Sequence, residues 1–321
     1  MLLRRFLLTV LAFGLAAPAA AQTYPDHPIR LIAPFPAGGL ADVLARAVGD
    51  EMSKTLGQPV IVENRAGAGG NTGADAVAKS APDGYTLLMS SAGILTANPF
   101  LYAKMPFDAE TAFIPVSNVA AMSMLVVVNP KVEAKTLGEL VAFAKANPNK
   151  LNFGSPGIGT TGHLGLAMLM HAASIKITHV PYRGAAPAVT DLIAGQIDGV
   201  VDNPPTVLPH ISSGKLRPLA VAANKRMALL PDVPTAAEAG VANYEASSWF
   251  GIAAPAGTPP AIVERLHAAV ATAVRTPAMQ QRFATTGARL VGDTPAEFAA
   301  QIKAERAMWG GIIKAAGIKA E

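Results

Sequence analysis

Phe35-Pro36-Ala37-Gly38-Gly39-Leu40-Ala41-Asp42 and Gly154-Ser155-Pro156-Gly157-Ile158-Gly159-Thr160-Thr161 set the pattern for the rest of the chain. Each follows a short apolar run, residues 31–34 and 151–153, and each leads into helix-period sequence, residues 41–56 and 161–173. A strand that turns through glycines into a helix aims unpaired backbone N–H groups and a positive helix end at the space above the strand. Glycine lets the backbone come close to a ligand because no Cβ intervenes. One such turn is ordinary strand–helix connection chemistry. Two of them, more than a hundred residues apart, suggest two lobes gripping one anion.

Outward from these turns, strand-length apolar runs alternate with helix-period segments. The strands are expected near 29–34, 60–64, 85–90, 125–128, 151–154, 176–180, 199–202 and 218–221. Helices are expected near 41–56, 72–80, 137–146, 161–173, 187–195, 205–213, 260–274 and 295–316. This alternation predicts an α/β protein with mainly parallel sheets. Thr136-Leu137-Gly138-Glu139 reads as a capping box, and Thr294-Pro295-Ala296-Glu297 joins a Thr cap to a first-position proline and a glutamate. Residues 224–244, with Pro231, Pro234 and Gly240, read as an ordered loop carrying one short helix.

Arg4 and Arg5, an apolar stretch over 6–17 and Ala19-Ala20-Ala21 form an export signal, with cleavage expected near Ala21 and a periplasmic mature chain. That apolar stretch is shorter than the roughly 20 residues a membrane span needs. Without Arg4 and Arg5 the net charge falls from +4 to +2, and the basic residues are scattered, so no nucleic-acid surface is expected. The chain has no cysteine, which removes disulfides, thiolate metal sites and thiol catalysis. The six histidines, His27, His163, His171, His179, His210 and His267, lack close metal-ligand spacing, and no metal or cofactor is expected. No Gly-x-Ser-x-Gly, Gly-Lys-Ser/Thr or His-Glu-x-x-His pattern stands in an enzymatic context.

Several stretches, in order, carry a resemblance. They are Phe35–Gly39 with Asp42 and Arg46, Val62-Glu63-Asn64-Arg65-Ala66-Gly67-Ala68-Gly69-Gly70, Gly157–Thr160 with His163-Leu164, and Val180-Pro181-Tyr182-Arg183-Gly184 with Pro187. Asp191-Leu192, Leu208-Pro209-His210, Leu230–Thr235, Glu238–Gly240 and Ala254–Pro259 complete the series. The chain resembles the solute-binding proteins of the tripartite tricarboxylate transporter family, the Bug proteins, over nearly all of its mature length.

The resemblance implies a type II periplasmic-binding-protein fold, two α/β lobes joined by two crossover strands. It assigns residues 22–123 plus 248–321 to lobe one and 124–247 to lobe two. It further implies a monomer that closes on a small organic carboxylate, a di- or tricarboxylate, and delivers it to membrane permease subunits. A sensor subunit reporting to a membrane kinase would share the same sequence features, and a secreted enzyme acting on a carboxylate is the remaining alternative. In similar proteins the backbone and small side chains of the two loops hold the carboxylate, partly through bridging waters. That role carries to Phe35, Ala37, Gly38 and Gly39, and to Ser155, Gly157, Gly159, Thr160 and Thr161. Asp42 is either a helix-start carboxylate or a ligand contact, and Ala41 stands where many relatives have Ser or Thr. Strand ends add Ser90, Ser91 and Ala92, then Asp202 and Asn203, as wall positions. Asp202 beside an anion requires a water or a ligand donor. His163 is a packing residue or a contact. Arg183 is a cation for a second carboxylate or a solvated loop residue.

Overall fold

The structure is a computed structural model, and it describes residues 24–316. The expected export signal lies outside them. Two sheets organise the described chain. The first contains β1 (Ile29–Ala33), β2 (Val60–Asn64), β3 (Thr86–Ser91), β4 (Phe113–Ser123), β10 (Ser247–Pro255) and β11 (Arg289–Leu290), in the order β11-β4-β10-β3-β1-β2. The second contains β5 (Leu125–Val128), β6 (Asn152–Ser155), β7 (Thr178–Pro181), β8 (Gly199–Asp202) and β9 (Arg217–Val221), in the order β7-β6-β8-β5-β9.

The sheets share a plan. In each, three parallel strands (β2-β1-β3 and β7-β6-β8) meet one strand running against them, β10 or β5, with a further strand antiparallel to that one. Each antiparallel strand directly follows a passage between the sheets. β4 ends at Ser123 and β5 begins in the other sheet at Leu125; the chain returns into β10 at Ser247. Met124 between them donates to the Ala246 carbonyl at 2.9 Å, so the β4–β10 ladder runs up to the crossover. The architecture is the two-lobed α/β type the sequence implies.

Helices cover both faces of each sheet: α1 (Leu40–Leu56), α2 (Asn71–Ala78), α3 (Asn98–Leu101), α4 (Leu137–Ala146), α5 (Thr161–Ala173), α6 (Ala185–Ala194), α7 (Pro204–Ser212), α8 (Pro260–Ala273), α9 (Pro277–Phe283) and α10 (Pro295–Ala316). In α1 the spacing of Leu44, Val48 and Met52 makes one apolar stripe, buried with Leu31, Leu87, Leu266 and Val270. On the opposite face of that sheet Trp249 and Phe298 meet edge to face, 4.9 Å between ring centres. Full burial of such side chains contributes roughly 1.5–3 kcal/mol each. Thr294 and Glu297 cap α10 reciprocally, Glu297 N–H to Thr294 Oγ1 at 3.2 Å and Thr294 N–H to Glu297 Oε2 at 2.9 Å. Trp309 and Ile313 on α10 join Leu101 in one apolar cluster with Leu164 and Leu169 of α5, so the lobes also share core.

Strands β4, β10 and β11 and helices α3 and α9 are additional to the sequence expectation, and one expected helix is absent. Residues 224–244 hold turns and no helix. Thr235 and Glu238 form a capping pair there, but Pro234 and Gly240 confine it to a single turn, and Thr235 instead bridges to Val221. The long strand β4 was not expected, because Pro115, Ser117 and Asn118 interrupt its apolar pattern. Pro115 is tolerated where the β4–β10 register shifts, between Ile252 and Ala253.

Candidate functional site

Four helices begin at one cleft between the sheets: α1 behind N-cap Gly39, α5 behind Thr160, α6 behind Gly184 and α7 behind Asn203. None of the four is capped by a side chain. Threonine at an N-cap ordinarily accepts from the helix's first N–H groups. Thr160 does not, because its hydroxyl donates to the Gly157 carbonyl at 2.6 Å. The N–H groups of Leu40, Ala41, Thr161, Ala185 and Ala186, all at the cleft, have no hydrogen-bond partner among the described residues. Each helix end presents roughly half a positive charge. The cavity they border is about 490 Å³, within the range of small-molecule sites.

Of the residues singled out in the sequence, Phe35, Ala37, Gly38, Gly39, Ser91, Thr160, Thr161, Arg183, Asp202 and Asn203 line this cavity. Asp42, Ser90, Ala92, Ser155, Gly157, Gly159 and His163 stand behind its wall. Asp42 is buried, its carboxylate accepting from Gly38 N–H at 2.9 Å and Asn64 Nδ2 at 2.9 Å and pairing with Arg46 at 2.9 Å. Burial pushes its carboxyl up, but those bonds together hold it below the usual carboxylate range. It therefore shapes the first turn, keeping Gly38 at its positive φ of 78°.

Behind the second turn, Ser155 Oγ meets His179 Nε2 at 2.6 Å, and His179 stacks on His163 with ring centres 4.2 Å apart. Gly159 N–H donates to His163 Nδ1 at 3.3 Å, which fixes that nitrogen as an acceptor. Burial, assisted by His179, pushes His163 down to about 3, and burial alone takes His179 to about 4. The pair is a neutral buttress. Ser90 Oγ is buried without a partner. The Ala92 carbonyl accepts from the Thr96 hydroxyl at 2.6 Å.

Asp202 ends β8 almost fully buried. Its Oδ1 accepts the Asn203 N–H at 2.7 Å, and its Oδ2 has no partner. Burial lifts the carboxyl to about 7, only partly offset by that bond.

Sequence reasoning missed part of the wall. Gly184, Ala185 and Ala186 repeat the strand–glycine–helix signal, and the same rule would have found them. Arg282, Phe283 and Thr286 enter from α9 and its exit. No local motif marks them, because a separate seven-residue helix carries them in from far along the chain.

The two lobes touch beside the cleft. Tyr102 of the first lobe donates to the Ile158 carbonyl of the second at 3.1 Å, and a Cβ built on Gly184 would touch Pro36 Cγ at 3.5 Å.

Two lobes of matching topology, crossing twice and closing on a cavity ringed by helix N-termini, define a two-lobed solute-binding protein. The model of the tripartite tricarboxylate transporter family receptor matches residues 44–318, and the chain belongs to that family. Protein BugT of Bordetella pertussis is 41% identical over 307 residues, 95% of this chain and 94% of the relative. The structure of R. palustris Rpa4515 with adipate superposes with a TM-score of 0.87 at 36% identity, covering 92% of this chain and 99% of that one. MatC (Rpa3494) from Rhodopseudomonas palustris with bound malate gives 0.86 at 33% identity, covering 90% and 100%.

Proposed function

We propose that this chain is a periplasmic receptor that captures a small organic carboxylate, a di- or tricarboxylate, and presents it to the membrane permease of a tripartite tricarboxylate transporter. The observation that carries the reading is the convergence on one cavity of four helix N-termini without side-chain caps, three of which, α1, α5 and α6, present free N–H groups, while α7 begins with Pro204 and Pro205. A carboxylate has two oxygens, each able to accept about two hydrogen bonds. Charge-assisted bonds contribute about 1.5–3 kcal/mol each, and micromolar binding requires about −8 kcal/mol. A few N–H donors from each lobe reach that range. The adipate and malate held by the two relatives are ligands of this class.

The moving bodies are residues 22–123 with 248–321, and residues 124–247, hinged at Met124 and Ala246. Ligand touching both bodies stabilises the closed form in proportion to its preference for that form. The chain acts as a monomer, exported by its leader, and binds without metal or cofactor. Mass spectrometry of protein purified from the periplasm, followed by thermal-shift screening of carboxylates, tests this. A ligand at a hundred times its Kd adds about 2.7 kcal/mol of stability. A carboxylate that both co-purifies and raises Tm is expected. Failure of every carboxylate to do either would overturn the reading.

A further inference from the structure

We infer that Arg282, together with Arg183, forms a second anion subsite at this cavity, so that the receptor selects ligands with two separated acidic groups. The inference rests on the carboxylate reading above and adds which residues hold the ligand's far end.

Among the described residues most arginines are committed. Arg30, Arg46, Arg65, Arg226 and Arg306 pair with carboxylates, and Arg217 donates to three backbone carbonyls. Arg183 and Arg282 have neither an acidic partner nor a hydrogen bond, and both line the cavity. They come from opposite lobes. Arg183 precedes the Gly184 cap of α6 in the second lobe. Arg282 lies in the last turn of α9 in the first, where its neighbour Phe283 is anchored in the apolar cluster behind α1. The other acidic or basic residue of the wall is Asp202, whose carboxylate is turned into the protein.

The cavity therefore offers two kinds of anion receptor. Free backbone N–H groups at the starts of α1, α5 and α6 suit a carboxylate seated deep in the cavity. Two guanidinium groups, exposed and unpaired, suit one that stays partly hydrated, and arginine's planar fork matches a carboxylate's two oxygens. Because the arginines belong to different lobes, a single distal carboxylate between them links the lobes by charge as well as by shape. A monocarboxylate leaves both guanidinium groups without an anion and loses that link.

The test is calorimetric titration of the mature protein with succinate, glutarate, adipate, malate and citrate, then with the monomethyl ester of whichever linear diacid binds best. Wild type is expected to bind the diacid at least tenfold more tightly than its monoester. Arg282→Gln should weaken the diacid about tenfold and leave the monoester unchanged, with Arg282→Lys recovering part of the loss and Arg183→Gln repeating the pattern. Both positions are exposed, so unchanged thermal melts are expected for all three variants. Equal binding of diacid and monoester by wild type, or equal losses for both in Arg282→Gln, overturns the subsite while leaving the carboxylate reading standing. Binding of no carboxylate by wild type overturns both.

Discussion

Gly93, opening the short π-helical segment Gly93–Ala97 after β3, faces the carbonyl oxygen of Gly159 so closely that a Cβ at Gly93 would overlap it. Gly93 belongs to the first lobe and Gly159 to the second, so this backbone approach joins the lobes. A Cβ on Gly69 would likewise lie 2.6 Å from the Ile158 carbonyl. Glycine surfaces and the Tyr102–Ile158 hydrogen bond thus form a latch between the lobes.

Gly93→Ala should accordingly hinder closure while touching no ligand atom. Affinity is expected to fall tenfold or more, and small-angle scattering with saturating ligand should keep a larger radius of gyration than wild type. Tyr102→Phe removes one hydrogen bond of about 0.5–1.5 kcal/mol and should weaken binding less than Gly93→Ala does. A Gly93→Ala protein that compacts and binds like wild type would refute the latch.

Gly39→Val and Gly159→Val separate the two turns. Gly39 has an extended backbone, and its added Cβ would sit 3.2 Å from the Pro36 carbonyl, so valine is tolerated by the fold but crowds the cavity. Gly159 holds a φ of 79° and would drive a Cβ into Asn98 of the other lobe, so valine there adds backbone strain to blocked closure. Both variants should lose binding in calorimetry, with Gly159→Val also melting at lower temperature. Lys303→Ala, on the exposed side of α10, should match wild type in both measurements. Full affinity in both valine variants would remove the amide clamp from consideration.

Local signals carried the sequence reading far where function uses local structure. The turns at Gly38–Gly39 and Gly157–Gly159 were legible because strand, glycine and helix follow one another directly. Helices α4, α5 and α10 were placed to the residue, their apolar periods and caps being continuous. Strands β4 and β10 were both missed, because their pairing is with each other across more than a hundred residues, and the Pro115 irregularity breaks the period. Arg282 was invisible for the same reason: only the tertiary fold brings α9 to the cleft. His179 was counted among histidines without metal spacing. Its stack on His163 depends on a strand and a helix meeting, which no spacing rule describes.

Asp202 gives a stability prediction with a definite sign. Its carboxyl is raised to about 7 by burial, against about 3.9 in an unfolded chain. The native state therefore holds the proton more tightly, and this contribution is fully present below pH 4 and is lost as pH rises through about 7. Each unit of difference corresponds to about 1.4 kcal/mol. Asp202→Asn, which cannot ionise, should gain on wild type as pH increases. Thermal melts at pH 5 and pH 8 are expected to show a Tm difference that shifts in favour of the variant by several degrees. A difference that stays constant across that range would mean the native carboxyl titrates normally.

The histidine buttress has the opposite sign. His163 and His179 are held neutral by burial, near 3 and 4, whereas unfolded histidine titrates near 6.5. Between those values the unfolded chain binds more protons, so native stability is whole above pH 6.5 and declines as pH falls toward 4. His163→Phe keeps an aromatic ring against His179 but removes one titrating group and the acceptor for Gly159 N–H. At pH 7.5 the variant should be less stable than wild type by about 1 kcal/mol, the net value of a hydrogen bond. Toward pH 5 the gap should narrow, because only wild type pays the penalty of keeping His163 uncharged. Urea unfolding at the two pH values measures both quantities, and a gap that widens in acid would show that His163 carries its proton in the native protein.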